Sequence, residues 1–396
     1  MAPTSITSVL SHTASETVPK RQPSLASPAD SAVFPSSSDD EADALSASNH
    51  PAEPLADASS VGFVSTNEDD PLDDYEMVKF INQGGEGVVN VLRHKETRKL
   101  VVCKTGWRNC GVVDEVKILR KVCKHPRIVG MHAFFEPHGY LRKSNVILEY
   151  CQGGDLAAYR AGFSARGQQL LEALLWHFYA QLGEAMHFLH DTCDVIHRDL
   201  KSENVLVVPG ATAASYPDLK IADFGMACTE LQPVEESHVG TRIWWGPEPR
   251  PGTKQMDIWA VGAIIHWLAL KTLPVDRSDI YVSSRAGKRA QTEADEKAPR
   301  VVRAISDIDT VKKYLEKREG VENPTPYSEG LDRWMKRSLD PDPTTRITAE
   351  ELCKEFVPLA ATVVASTFEK LDEEIVPPAP LDDWGSDNSP AGFGIW

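Results

Sequence analysis

The chain is short of basic charge, and it has no long apolar run. Against 58 Asp and Glu it sets 42 Lys and Arg, for a formal charge of −16 and a pI near 5.2. Binding nucleic acid without sequence preference needs the opposite balance, so no nucleic-acid partner is expected. The acidic balance suits basic peptides, although net charge alone fixes no partner. The strongest candidate for a bilayer span, Ile258 to Leu270, contains a histidine and is too short. It reads as a buried helix, and no membrane partner is expected. The first residues lack the charged start and apolar centre of a secretory signal. Cysteine is sparse and scattered: there are 7, an odd number, with no Cys-x-x-Cys pair. That argues against a disulfide framework or a zinc site and for a reducing intracellular compartment, cytoplasmic or nuclear.

What is present divides by composition. With 396 residues, 41% of them hydrophobic, the chain can bury a large core, either as two domains or as one two-lobed unit with tails. Residues 1–72 are rich in Ser, Ala, Pro and Asp and poor in large apolar side chains. Such a segment cannot offset the entropy lost on ordering, so disorder is expected. It reads either as a solvated spacer or as a regulatory tail with phosphosites such as those in the run Ser36 to Glu41. Residues 361–396 read as a second tail, rich in Pro, Gly and Asp from Ile375. Its Trp384, Phe393 and Trp396 are candidates to dock on the folded body.

Between the tails the hydrophobic pattern changes. From residue 73 to 150 the short runs MVKFI, VVNVL, LVVCK and NVILEY, rich in Val and Ile, read as strands. One helix interrupts them, with Val116, Leu119 and Val122 on one face. From 151 to 360 helices dominate. Leu171, Leu174, Leu175, Phe178, Leu182, Met186 and Leu189 recur at helical spacing. Residues 276–318, with many basic positions, read as an extended insert, either a docking surface or a solvated loop.

The chemistry concentrates in HRDLKSEN, His197 to Asn204, followed by DFG from Asp223 to Gly225. Two acids and an amide meet the needs of phosphoryl transfer. Asp199 is suited to accept a hydroxyl proton, and Asn204 and Asp223 are suited to hold Mg²⁺ on the phosphates of ATP. On these residues the chain resembles the eukaryotic protein kinase superfamily, serine/threonine type. The resemblance implies an α+β, bilobal protein kinase fold with a strand-rich N-lobe and a helical C-lobe.

It further implies roles for the surrounding residues. Ile81 to Val89 (INQGGEGVV) resembles the glycine-rich phosphate loop, through Gly84, Gly85, Gly87 and Val89. It departs from the family pattern in having Asn82 in place of the first glycine and in carrying Glu86. Lys104, closing VVCK, resembles the lysine on the α- and β-phosphates. Glu115 resembles its helix partner, with Asp114 as rival, and their separation from Lys104 is short for the family. Leu148 would stand behind the adenine, and the backbone of Glu149 and Cys151 would hydrogen-bond the adenine edge. Asp155 reads as a ribose ligand, a helix N-cap, or both. Lys201 would neutralise charge on the transferred group, a feature of serine/threonine kinases.

Thr241 resembles the threonine that touches the catalytic Asp and Lys. Arg198, ahead of Asp199, implies control by a phosphate in the activation segment, with Ser237 or Thr229 as the target of an upstream kinase. Glu235 and Glu236 beside Ser237 are candidate phosphate mimics. Asp257 resembles the buried anchor of the catalytic-loop backbone, and Arg346 the partner of Glu248. Glu203 and Asp155, with the acidic net charge, hint at basic protein substrates carrying Ser or Thr. The alternative is a pseudokinase or scaffold that binds partners without phosphoryl transfer.

Overall fold

The structure is a computed structural model that describes residues 72–84, 87–106, 112–138, 143–212, 215–229, 240–248, 252–275 and 302–368. Both sequence tails lie almost wholly outside these residues, as do Gly85, Glu86, Ser237 and residues 276–301.

The N-lobe is an antiparallel five-stranded sheet in the order β1-β2-β3-β5-β4. Its strands are β1 (Tyr75–Gly84), β2 (Gly87–His94), β3 (Leu100–Gly106), β4 (Met131–His138) and β5 (Lys143–Glu149). The period-two alternation of a strand explains its two faces. On β5, Ile147 joins Leu72, Leu92, Val101 and Cys103 in a small outer cluster. Its neighbours Val146 and Leu148 point the other way, into the main core. Helix α1 (Val112–Val122) packs there through Val112, Val116, Leu119 and Val122. The strand β4 has no counterpart among the sequence runs, because MHAFFEPH has neither β-branched residues nor clean alternation, and it lies at the sheet edge.

The C-lobe is helical. Helices α2 (Leu156–Ala165) and α3 (Glu172–His187) lead to the short strands β6 (Val195–Ile196), β7 (Val205–Val208), β8 (Asp218–Ile221) and β9 (Cys228–Thr229). Then follow α4 (Lys254–Leu270), α5 (Ile308–Val311), α6 (Lys317–Glu319), α7 (Glu329–Ser338), α8 (Ala349–Glu351) and α9 (Val357–Phe368). Helix α4 contains the Ile258–Leu270 run and is buried on nearly every side, as expected for a helix apolar all round. Thr253 caps it, its side chain accepting from the Met256 N–H at 3.2 Å. No helix among the described residues is long and apolar enough to cross a membrane.

Three expectations need correction. Leu171 is the N-cap of α3 and is 40% exposed, whereas the other six apolar residues of that pattern are buried. Residues 302–318 do not belong to an extended insert. Ile305, Val311, Tyr314 and Leu315 are buried in the main core, and the surrounding Lys and Arg masked that pattern. The final helix runs on to Phe368, with Val363 and Val364 packed on the core, so the fold continues past residue 360.

Candidate active site

The β1–β2 hairpin closes on Gly84 opposite Gly87. Gly87 has φ +146°, and a Cβ there would lie 1.9 Å from the Thr105 carbonyl oxygen, so only glycine fits. The same register sets Val89 opposite Lys104 and buries it.

Lys104 and Glu115 are both buried and meet at 2.8 Å, so the short chain between them does not prevent the pairing. Among the described residues helix α1 runs from Val112, close ahead of Glu115. The rival Asp114 points to solvent and pairs with Lys117 at 2.6 Å. Lys104 also donates to Asp223 Oδ1 at 3.1 Å, which ties the sheet to the DFG segment. Burial disfavours the Asp223 charge, but the adjacent Lys104 ammonium outweighs it and holds the carboxyl below its usual range. Asp223 has φ +61°, and Phe224 is buried with its ring edge-on to His197 at 5.0 Å.

Catalytic-loop side chains converge on Asp199. Its Oδ1 accepts from the Thr241 N–H at 2.6 Å, and its Oδ2 accepts from Lys201 Nζ at 2.8 Å and Asn204 Nδ2 at 3.2 Å. Lys201 also donates to Thr241 Oγ1 at 3.1 Å. Asn204 Nδ2 donates to the Asp199 carbonyl at 2.8 Å, while its Oδ1 is buried with no hydrogen-bond partner among the described residues. The Asn204 amide oxygen and the Asp223 carboxylate are hard oxygen donors of the kind Mg²⁺ takes, and the Asn204 backbone carbonyl accepts from the N–H of Ala222, next to Asp223, at 2.9 Å.

The loop is held from below. Arg198 has φ +67°, and Asp257 accepts the N–H groups of His197 and Arg198 at 2.8 and 3.0 Å. His190 Nε2 donates to the same carboxylate at 2.9 Å. Burial opposes the charge of Asp257, but His190 and then His197 more than compensate, and its pKa is lowered. Sequence reasoning missed His190, whose only signal was a polar residue at the buried end of an apolar helix. The Arg198 guanidinium donates through Nε to the Met226 carbonyl. Thr229 lies in β9 opposite Val195.

At the lobe junction, Leu148 is buried between Val102 and Met131 in the sheet register. The Glu149 side chain accepts from the Gly130 N–H at 3.0 Å and pairs with Lys220 at 3.1 Å. Lys220 is a second residue that the motifs did not reveal. Cys151 is buried and its thiol pKa is pushed up to about 12, by burial first and then by the charge of Glu149. Asp155 is buried and caps α2, accepting from the Ala158 N–H at 2.7 Å. Glu203 is half-buried and accepts from Ser202 Oγ at 2.9 Å. Arg346 grips Glu248 with two hydrogen bonds of 2.7 and 3.0 Å and lies over the Trp259 ring at 5.1 Å.

A two-lobed fold with a buried lysine–glutamate pair tied to Asp223, and an aspartate held by lysine, asparagine and threonine, is the arrangement expected of a phosphoryl-transfer class of protein. Residues 75–357 match the protein kinase domain family, and the chain belongs to that family, within the eukaryotic protein kinase superfamily. It is similar to the dual specificity mitogen-activated protein kinase kinase dSOR1 of Drosophila melanogaster, 30% identical over 213 residues, which cover 51% of this chain and 50% of that one. It is also similar to the serine/threonine-protein kinase ATG1c of Arabidopsis thaliana, 36% identical over 169 residues, or 41% of this chain and 21% of that one. NUAK family SNF1-like kinase 2 of Homo sapiens is 32% identical over 218 residues, covering 52% and 32% of the two chains. The chain thus spans half or less of the length of these curated relatives.

Proposed function

We propose that this chain is a serine/threonine protein kinase that transfers the γ-phosphoryl group of ATP, with Mg²⁺, to Ser or Thr hydroxyls of protein substrates. The observation that carries this reading is the Lys201 ammonium, 2.8 Å from Asp199 Oδ2 and 3.1 Å from Thr241 Oγ1. Asp199 takes the proton of the attacking hydroxyl. Lys201 stands beside it to offset charge on the transferred group, and Thr241 fixes both. Lys104, oriented by Glu115, holds the α- and β-phosphates, and Gly84, Gly85, Gly87 and Val89 are the residues proposed to contact the phosphates. The backbone of Glu149 and Cys151 receives the adenine edge, and Asp155 serves the ribose from its cap position. Asn204 and Asp223 would hold Mg²⁺, which when bound neutralises phosphate charge.

Basic substrates fit the acidic net charge, and Ser237 or Thr229 is the proposed target of an upstream kinase. The proposed setting is intracellular. The test is γ-phosphoryl transfer to matched peptides ending the choice among Ser, Thr and Tyr, with wild type compared with Asp199→Asn and with Mg²⁺ withheld. Transfer to Ser or Thr, lost in both controls, supports the reading. Transfer to Tyr alone would overturn the specificity, and no transfer by an ATP-binding chain would favour a pseudokinase that binds partners.

A further inference from the structure

Away from the cleft, two cations converge on one hydroxyl. Arg160 lies on α2, fully buried, and among the described residues it pairs with no carboxylate. Its Nε donates to the Leu268 carbonyl at 2.8 Å and one terminal nitrogen donates to Ser164 Oγ at 2.8 Å. The other terminal nitrogen is buried with no partner among the described residues. Lys271 reaches the same Ser164 oxygen at 3.2 Å. Its backbone sits in the left-handed region, φ +50°, as the cap of α4, a position that favours glycine. The Glu319 carboxylate lies 3.5 Å from Lys271 Nζ and also acts at longer range on Arg160.

A fully buried guanidinium with no carboxylate at ion-pair distance among the described residues is costly, and it shares the Ser164 hydroxyl oxygen with Lys271. A phosphate ester on that oxygen would supply three strong acceptors and about −1.5 to −2 of charge. Near the end of a helix such a charge is ordinarily disfavoured, so a purpose-built counter-charge is the natural reason for the pair. We propose that Ser164 is a phosphorylation site and that Arg160 and Lys271 are its receptor. In the step, Ser164 Oγ bonds to the γ-phosphorus of ATP and the bond from that phosphorus to the β–γ bridging oxygen breaks. ADP leaves, and the hydroxyl proton passes to the catalytic base of the transferring kinase. Ser164 is half-buried in the last turn of α2, ahead of Gly167 with φ +61°, so opening one helical turn exposes it. Once held, the phosphate joins α2 to the end of α4 and, through Lys271 and Glu319, to α6.

The test installs phosphoserine at position 164 of the full chain by genetic encoding and compares it with the unmodified chain. Thermal melting is expected to rise by about 2–4 °C. A ³¹P titration is expected to show the second phosphate pKa below the usual value of about 6. Both effects should shrink in Lys271→Ala, whose side chain is partly exposed and lies outside the catalytic machinery. A phosphorylated chain that melts lower or does not fold, or whose phosphate titrates near that usual value, would overturn the proposal.

Discussion

Lys104 Nζ lies 2.8 Å from Glu115 Oε2, and the pair is buried between β3 and α1. It joins an eleven-residue gap that the motif pattern makes look too short, and Lys104 makes a second contact to Asp223 at 3.1 Å. Lys104→Met is expected to lower kcat by about 10²–10³-fold. Glu115→Gln leaves the contact to Asp223 in place and should cost less. Kinetics on both variants, with ATP KM measured alongside, check the order. Equal losses would show that Glu115 does more than orient the lysine.

The Arg346–Glu248 pair is buried on both sides and twice hydrogen-bonded. Removing the arginine strands a carboxylate and also empties contacts to the Gln255 and Asp340 carbonyls. Arg346→Met is therefore expected to destabilise the fold by about 3–5 kcal/mol. Urea denaturation of the variant provides the measurement, and an unchanged midpoint would contradict a structural role.

His266 is fully buried in α4, with Nδ1 donating to the Thr272 carbonyl at 2.8 Å. Burial lowers its pKa to about 4, against an ordinary value of about 6.5. The unfolded chain therefore binds a proton that the folded chain refuses between those values. Stability contributed by the neutral ring is complete above pH 6.5 and is lost as pH falls toward about 4, by roughly 3 kcal/mol at most. Denaturation free energies measured across that interval should fall less steeply in His266→Phe than in wild type.

Cys151 sits at the lobe junction with its thiol pushed up to about 12. The thiolate is the reacting form, so the residue should resist iodoacetamide at pH 8 in the folded chain. Mass spectrometry after brief labelling reads this directly. Rapid modification that ATP prevents would instead show a junction open to solvent.

Residues that carry chemistry within one short segment were legible in advance. Asp199, Lys201 and Asn204 lie in a single loop, so their order in the chain already implies the proximity that their hydrogen bonds show. Asp223, Glu115 and Asp257 come from distant segments and were recognised through motif resemblance. Strand β4 was not read, because its sequence is neither alternating nor β-branched. The packing of residues 302–318 was hidden by charge, since Lys and Arg on the solvent side diluted the apolar period.

By itself, the order of residues determined the catalytic-loop segment, the glycine at position 87 and the buried character of α4. These rest on local chemistry and on periodicity, which a linear chain displays. Only the tertiary structure decided that Lys104 serves Glu115 and Asp223 together, that His190 supports Asp257, and that Arg160 and Lys271 meet on Ser164. Those contacts join side chains far apart in sequence, and their distances depend on how helices and sheet pack, which no single segment encodes.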